Sequence, residues 1–359
     1  MVNDVIKINQ LTFTRFLAAL FIVVFHYGKL ATPFNKSILS NVFSNANVCV
    51  SFFFVLSGFI MVVAYHHLKK LNLKEYYINR FSRIYPVYFI ALVLTIVINN
   101  GWRFDLTGTS LHVLLLQSWV PRYTMVYNYP GWSLSVEAFF YLLFPLLYNY
   151  VYNKFRFNNI ILAILAFFLI SQVCIYLISN TLFDFPFPVN LESNFIHYFP
   201  LFHLNEFLAG NALGLLFICL IKKNGFSSIN RVKNIALILM CTVISLLVLY
   251  PNLRQSLEVN FHNGLFVLFF GPFILWLSLS KNKLTKLLAA KPLVFFGNIS
   301  YDIYILQYPV FSLLIILNRK FNWGNTPLFY LSLIVLIIAS IGCHLVIEKP
   351  LLRLIRKYR

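Results

Sequence analysis

Long apolar stretches alternate with short polar segments along the whole chain. A stretch of about 17–25 apolar residues can cross a bilayer as a helix. The sequence predicts ten such helices, at residues 11–30, 46–65, 84–99, 131–152, 158–179, 199–221, 234–250, 262–280, 293–318 and 327–347. Residues 111–120 are apolar but too short to cross, and we expect them at the outer surface. The pattern predicts an all-α, polytopic integral membrane protein with one membrane domain over residues 1–359.

Composition supports this class and excludes a soluble one. Of the 359 residues, 60% are hydrophobic and only 11% are charged, and the mean hydropathy is +0.78. A soluble domain of this length does not have so few charged residues. The five cysteines are scattered through apolar segments without metal-binding or redox spacing, so we expect neither a disulfide framework nor a metal site.

The positive charge indicates orientation in a membrane rather than a nucleic-acid partner. The net charge is +19, and 22 of the 29 lysines and arginines fall on one side when the ten predicted helices are threaded through a bilayer. Positive residues accumulate in short cytoplasmic loops. We therefore expect both termini to be cytoplasmic, lipid to surround the chain, and no nucleic acid to bind. Arg15 in the first apolar segment, with no small-residue cleavage site after it, predicts a retained helix rather than a signal peptide.

Arg15 and His26 lie within the first predicted helix, where such side chains are costly unless they face a polar cavity. Eleven positions separate them, which is about 16 Å along a helix. Arg15 is then near the cytoplasmic face and His26 in the outer third. Arg80 and Arg83 stand at the predicted cytoplasmic mouth of the third helix. The alternatives are snorkelling of Arg15 to the headgroups, membrane anchoring by Arg80 and Arg83, and a purely structural His26.

Two glutamates fall in the outer half of the predicted helices, as His26 does. They are Glu137 in the fourth helix and Glu206 in the sixth, and structural pairing with a neighbouring helix is the alternative for each. His203 and Glu206 share one helical face, but no second pair of ligands accompanies them, so the spacing does not predict a metal. Asp302, in the inner half of the ninth helix, is expected to partner an inner arginine rather than to catalyse.

These positions suit acyl transfer across a membrane. Arginines bind phosphates through bidentate, charge-assisted hydrogen bonds. An imidazole can take a proton from a hydroxyl at neutral pH, and a carboxylate can orient the imidazole and stabilise the imidazolium. A phosphorylated cytoplasmic donor and a hydroxyl acceptor outside would fit Arg15, His26 and Glu137.

Six short motifs occur in order along nearly the whole chain. They are the Arg15-x10-His26 pair, Phe52–Phe59 (FFFVLSGF), Arg80-x-x-Arg83-Ile84-Tyr85-Pro86, Trp132–Glu137 (WSLSVE) with Tyr141 and Pro145, Phe296–Tyr301 (FGNISY), and Glu348-Lys349-Pro350. Through these motifs the chain resembles the acyltransferase 3 family, membrane O-acyltransferases that act on bacterial envelope and secreted glycans. Each motif alone is weak evidence, but six in order argue against chance similarity.

The resemblance implies a donor and a catalytic residue. The donor would be acyl-CoA, most often acetyl-CoA, with its phosphates bound by Arg15, Arg80 and Arg83. His26 would deprotonate a sugar hydroxyl or would itself carry the acyl group. Glu137 would orient His26 or bind the sugar.

The resemblance also implies an acceptor, which would be a glycan or lipid-linked saccharide at a bacterial cytoplasmic membrane. Trp132 would stack on a sugar ring, with an interfacial anchor as the alternative, and Glu206 and Gln307 are further candidates for acceptor contacts. Gln307 stands where many relatives carry histidine, and a glutamine can hydrogen-bond but cannot act as a base at neutral pH. Many relatives also carry a fused esterase-like domain, which we do not expect here.

Two other functions are compatible with buried charges in a membrane. One is a transporter or flippase for a lipid-linked glycan or a small metabolite, although the sequence contains no inverted repeat. The other is a non-catalytic assembly partner, which leaves Arg15, His26 and Glu137 without a role. The acceptor, the length of the acyl group and the oligomeric state stay open, and a homo-oligomer is compatible with the sequence.

Overall fold

Helices make up almost all of the regular structure in the computed structural model, which describes residues 6–100, 105–181, 191–222, 226–249 and 263–357. No strand occurs within these ranges. The α-helices are α1 Gln10–Val23, α2 Ser37–Phe43, α3 Cys49–Tyr65, α4 Leu73–Asn100, α5 Leu106–Val113, α6 Trp132–Leu146, α7 Phe157–Thr181, α8 Leu191–Tyr198, α9 Leu204–Lys222, α10 Phe226–Leu249, α11 Val267–Leu279, α12 Lys283–Leu288, α13 Lys291–Asn298, α14 Ser300–Phe321, α15 Asn325–Cys343 and α16 Lys349–Lys357.

Nine helical segments of the described chain are long and apolar enough to cross a membrane, and each coincides with a predicted helix. They are Gln10–Gly28, Ala46–Tyr65, Leu73–Asn99, Tyr129–Tyr152, Phe157–Ser179, Leu191–Lys222, Ser228–Ser245, Ser300–Phe321 and Asn325–Arg353. The tenth prediction, 262–280, corresponds to the 13-residue helix α11, and its first residue lies outside the described residues. The all-α, polytopic membrane class is confirmed.

Three helices begin or end at residues that differ from those predicted by hydropathy. Helix α4 begins at Leu73 rather than at residue 84, because its first turns contain polar residues that favour helix but lower the hydropathy. Helix α9 begins at Leu204, after a 3₁₀ turn that starts at Pro200. The predicted helix 293–318 is divided at Ile299 into α13 and α14.

Wide π-helical turns follow directly on three helices. They occupy Val24–Gly28 after α1, Leu147–Tyr152 after α6 and His344–Glu348 after α15. Such turns are rare and occur frequently at functional sites. Here two of the three contain a histidine, His26 and His344.

The helices form two compact units. The first contains residues up to 13, 50–71 and 139–294, and the second contains residues 14–49, 72–138 and 295–359. The prediction of one membrane domain over the whole chain stays a prediction, and each unit is described separately below.

In the first unit, α3 and α9 approach so closely that their backbones touch. A methyl group at Gly58 would overlap the carbonyl of Phe207, and one at Gly210 would overlap the carbonyl of Val55. Small residues allow this kind of approach between membrane helices. Gly264, with a φ of +118°, lies against the side chains of Asn205 and Gln172, so both its conformation and its space require glycine.

In the second unit, α14 packs against α4 and α15, and the π-turn His344–Glu348 packs against α4. A hydrogen bond from the Tyr301 hydroxyl to the carbonyl of Ile84 links α14 to α4. The segment between α4 and α6 folds back on α4, where the Tyr88 hydroxyl donates to the carbonyl of His112 at 2.7 Å. Residues 111–120 form the end of α5 and a 3₁₀ turn, so they are too short to cross a membrane, as predicted.

Candidate active site

His26 lies in the π-turn at the end of α1, in the second unit, where it is half-buried. Its Nδ1 atom is 2.8 Å from the hydroxyl oxygen of Tyr129. The two rings also stack, with centroids 4.7 Å apart and planes inclined by 22°. The imidazole is therefore fixed both in position and in rotation by one tyrosine.

Tyr129 is itself held in a 3₁₀ turn, Tyr129–Gly131, directly before α6. Hydrogen bonds fix this turn on three sides. The Asn128 amide donates to the carbonyl of Ile305 at 3.0 Å, the Tyr304 hydroxyl to that of Pro130 at 3.1 Å, and the Gln117 amide to that of Gly131 at 2.8 Å. All three donors are buried, so their bonds are made away from water, where an unmade bond costs most.

A third side chain sets the direction of the hydrogen bond at His26. The Tyr129 hydroxyl donates a hydrogen bond to the hydroxyl of Tyr27 at 3.0 Å. Since it has only one proton to donate, it must accept from Nδ1–H of His26. The proton of the neutral imidazole is thereby placed on Nδ1, and the lone pair is placed on Nε2.

This arrangement leaves Nε2 of His26 ready to act as a base. Within the described residues, Nε2 has no hydrogen-bond partner. The carboxylate orienter of a serine-protease triad plays the same part for its histidine, but here the orienter is a phenol. Sequence reasoning missed Tyr129, although the Tyr129-Pro130-Gly131 turn adjoins the Trp132–Glu137 motif and could have drawn attention to it.

The expected pairing of Glu137 with His26 stays a prediction. Glu137 is half-buried in α6, eight residues after Tyr129, which corresponds to about 12 Å along a helix. Trp132, in the first turn of α6, is buried with 5% of its surface exposed. Gln307 is fully buried in α14, where its amide donates to the carbonyl of Tyr304 at 2.7 Å and its Oε1 has no hydrogen-bond partner in the described chain.

The three predicted donor arginines also belong to the second unit. Arg15 lies half-buried on α1, and Arg80 (half-buried) and Arg83 (exposed) lie in the early turns of α4. The Arg80 guanidinium is 5.8 Å from the centre of the Tyr76 ring. Arg15 and Arg83 both interact electrostatically with Asp302 on α14, so a single carboxylate lies close to two of the three.

Glu206, the remaining candidate, lies in the first unit. Its Oε2 atom is 2.9 Å from Nδ1 of His203, and Nε2 of His203 is 2.8 Å from the carbonyl of His197. A carbonyl only accepts, so Nε2 carries a proton. Both side chains are almost completely buried. His203, the last residue of the 3₁₀ turn, thus pairs with Glu206 in the first turn of α9. The role of Glu206 toward an acceptor stays a prediction.

Comparison with known proteins decides the family. The family model described as an acyltransferase domain, acyltransferase 3, matches residues 8–345. The chain belongs to the acyltransferase 3 family. The match includes every residue of the predicted site and five of the six motifs in full, so the resemblance noted from those motifs is confirmed.

Several curated proteins are similar to this acyltransferase 3 chain. Acyltransferase MdmB of Streptomyces mycarofaciens is 32% identical over 159 residues, which cover 41% of each chain. O-acetyltransferase OatA of Staphylococcus aureus is 22% identical over 327 residues, which cover 84% of this chain and 52% of OatA. The chain thus spans about half the length of these relatives. No solved structure matches it.

Proposed function

We propose that this protein is a membrane O-acyltransferase that moves an acetyl group from cytoplasmic acetyl-CoA to a hydroxyl of a cell-envelope or secreted glycan at the outer side. The observation that carries the proposal is the fixed imidazole of His26, whose Nε2 has a lone pair and no hydrogen-bond partner among the residues that the structure describes. Membership of the acyltransferase 3 family supports the reaction class, and the name of the relative OatA supports acetyl as the group transferred and a hydroxyl oxygen as its acceptor.

The proton of the acceptor hydroxyl would pass to Nε2 of His26. The sugar oxygen attacks the thioester carbonyl, a C–O bond forms, and the C–S bond to CoA breaks. The proton on the imidazolium then passes to the thiolate that leaves, so that His26 is neutral again. During the step, Nδ1–H of His26 stays bound to Tyr129, which keeps the ring from turning.

The spacing of Arg15 and His26 suits a long donor. Eleven residues of regular helix are about three turns and about 16 Å of axis, which approximates the separation between Arg15 on α1 and His26 in the π-turn that continues it. CoA carries its phosphates at one end and its thioester at the other, with the extended pantetheine arm between. Phosphates near Arg15 would leave the thioester free to reach His26.

The location and the acceptor belong to the proposal as well. A bacterial cytoplasmic membrane would give the protein acetyl-CoA on one side and envelope glycan on the other. Trp132 and Gln307 are the acceptor candidates of the second unit, and the unpartnered Oε1 of buried Gln307 would accept a hydrogen bond from a sugar hydroxyl. Acyl transfer by this site would need no metal.

The test uses the purified full chain in lipid nanodiscs with acetyl-CoA and glycan extracted from the envelope of cells that carry it. Release of free CoA thiol and the mass of the acetylated glycan are followed together. We expect thiol release that depends on glycan and is lost in His26→Gln, while the variant still binds CoA. Glycan movement across liposomes without CoA consumption would instead identify a transporter.

A further inference from the structure

Three buried side chains that can ligate a metal meet in the second unit, and none of them takes part in the acyl-transfer step described above. His344 begins the π-turn after α15 and Glu348 ends it, and Nδ1 of His344 is 2.6 Å from Oε2 of Glu348. Asp302 on α14 lies against this turn, with its Oδ2 3.9 Å from the same Nδ1. One ligating atom of each residue lies within 4.8 Å of the other two.

Burial distinguishes this cluster from a group of acids on a surface. Asp302 has none of its surface exposed, and His344 and Glu348 expose 5% and 7% of theirs. Neither carboxylate oxygen of Asp302 has a hydrogen-bond partner among the described residues. A buried carboxylate is costly unless it is paired or coordinates a metal. Asp302 thus presents an oxygen without a hydrogen bond to the two other ligands, within a segment that is apolar enough to cross a membrane.

The charges that interact with Asp302 compensate it only in part. They belong to Arg15, which is half-buried, and to Arg83, which is exposed. Since neither oxygen of Asp302 accepts a hydrogen bond, neither guanidinium is bound to it directly. An exposed charge is screened by water and salt, whereas the carboxylate is enclosed. A cation placed among the ligands would compensate Asp302 and Glu348 at contact distance.

The ligand set indicates which cation would fit. Two carboxylates balance the charge of a divalent ion, and an imidazole nitrogen favours a transition metal over magnesium or calcium. Zinc binds nitrogen and oxygen ligands at about 2.0–2.2 Å, so tetrahedral ligand atoms lie about 3.3 Å apart. The observed separations of 2.6 Å, 3.9 Å and at most 4.8 Å lie on both sides of this value. Small side-chain rotations would therefore bring all three atoms to a zinc ion, with a fourth position for water.

We propose that Asp302, His344 and Glu348 form a binding site for one divalent transition-metal cation, best fitted by zinc, which joins α14 to the end of α15. The inference does not rest on the proposed function, because the cation stabilises the fold and has no part in acyl transfer. It differs from the expectation drawn from the sequence, which considered the spacing of the cysteines and the His203–Glu206 pair. Asp302 is far from His344 in the sequence, so only packing brings the set together.

The test measures metal directly. The full chain is purified in lipid nanodiscs with an affinity tag that contains no histidine, stripped with EDTA, and titrated with zinc chloride. Zinc that remains after gel filtration is counted by mass spectrometry, and the unfolding midpoint is followed by heating. We expect one equivalent of zinc and a higher midpoint with zinc than with EDTA, because a ligand that binds only the folded chain stabilises it.

Three variants each remove one ligand, namely Asp302→Asn, His344→Gln and Glu348→Gln. We expect each to weaken zinc binding by more than about 100-fold, the upper end of the effect of groups that only orient ligands. The matched control is His203→Gln. It breaks a buried histidine–glutamate pair of the same kind, at 2.9 Å, that belongs to no group of three ligands in the described part of the chain. This variant should bind zinc as the wild type does.

Several results would overturn the proposal. They are a wild-type protein that retains no zinc, zinc that is retained equally in the three ligand variants, and zinc that is lost equally in His203→Gln. If the ligand variants do not accumulate in the membrane, the wild type alone decides. Its unfolding midpoint must then fall with EDTA and recover with zinc, and an unchanged midpoint would refute the site.

Discussion

The hydroxyl of Tyr129 accepts a hydrogen bond from Nδ1–H of His26 across 2.8 Å, and it donates a hydrogen bond to the hydroxyl of Tyr27. A phenol in this position orients an imidazole as a carboxylate would, but it brings no negative charge to stabilise the imidazolium. At His26, orientation of the imidazole by a neighbouring side chain can therefore be studied separately from stabilisation of the imidazolium by a negative charge. The first two predictions use this separation.

Removing the hydroxyl of Tyr129 should lower turnover while the protein stays folded. Tyr129→Phe keeps the ring that stacks on His26 and removes the acceptor for Nδ1–H, so both imidazole tautomers become populated. We expect turnover to fall roughly 10–100-fold, a part of the 10²–10⁴-fold that a general base contributes. Acetyl transfer at matched protein levels measures it. Tyr330→Phe, which removes a hydroxyl bonded to the carbonyl of Thr32, should be harmless.

Removing the hydroxyl of Tyr27 should do more damage than removing that of Tyr129. In Tyr27→Phe the Tyr129 hydroxyl loses its acceptor and donates to Nδ1 of His26 instead, which moves the imidazole proton to Nε2. The double variant with Tyr129→Phe should recover the activity of Tyr129→Phe alone. A double-mutant cycle of turnover tests this, and additive losses would refute the assigned direction of the hydrogen bonds.

The orientation of the chain can be tested with reporter fusions. The division of lysines and arginines predicts that fusions at Lys154 and Lys222 report the cytoplasm and that one near Glu192 reports the outside. Alkaline phosphatase and a fluorescent protein active only in the cytoplasm give opposite signals at each site. An external signal at Lys222 would contradict the ten-helix topology.

The contact between α3 and α9 should not tolerate a methyl group. Gly58→Ala would press Cβ against the carbonyl of Phe207, which is backbone and cannot swing away. We expect a loss of roughly 1–3 kcal/mol, seen as a lower apparent unfolding midpoint in detergent. Gly342→Ala is the matched control, because in the described part of the chain no atom outside its own helix backbone and chain neighbours lies within 4 Å of the Cβ position there, and it should be neutral or slightly stabilising.

Acid should destabilise the segment that carries His112. Burial lowers the pKa of His112 to about 4, against the partial opposing effect of its hydrogen bond with the carbonyl of Gly108. Between pH 6.5 and 4 the unfolded chain therefore binds a proton at this residue that the folded chain does not, so stability falls as the pH falls through this range and levels off below it. Thermal unfolding in detergent should show a weaker pH dependence in His112→Gln. Equal slopes would mean that His112 is protonated in the fold.

The sequence was sufficient to predict most of the helices and to single out the charged and polar residues that are unusual inside a membrane. Apolar length located nine of the spans, and the cost of buried charge marked Arg15 and His26. It could not find Tyr129, because the bond to His26 joins residues 103 positions apart and depends on how the turn before α6 is held. The expectation that Asp302 partners an inner arginine stays a prediction. The contact between His344 and Asp302 had no signal in the sequence, because it depends on the packing of α14 against α15.

The wide turn that carries His26 makes the length of this segment as important as its composition. A π-turn holds one residue more than an α-turn, so deleting Val24 or Phe25 would restore a regular helix without removing any polar group. The following residues would then rotate by about 100°, and the imidazole would leave the ring of Tyr129. Relatives should therefore be aligned without gaps between Arg15 and His26, because a histidine shifted by one place would no longer lie against Tyr129.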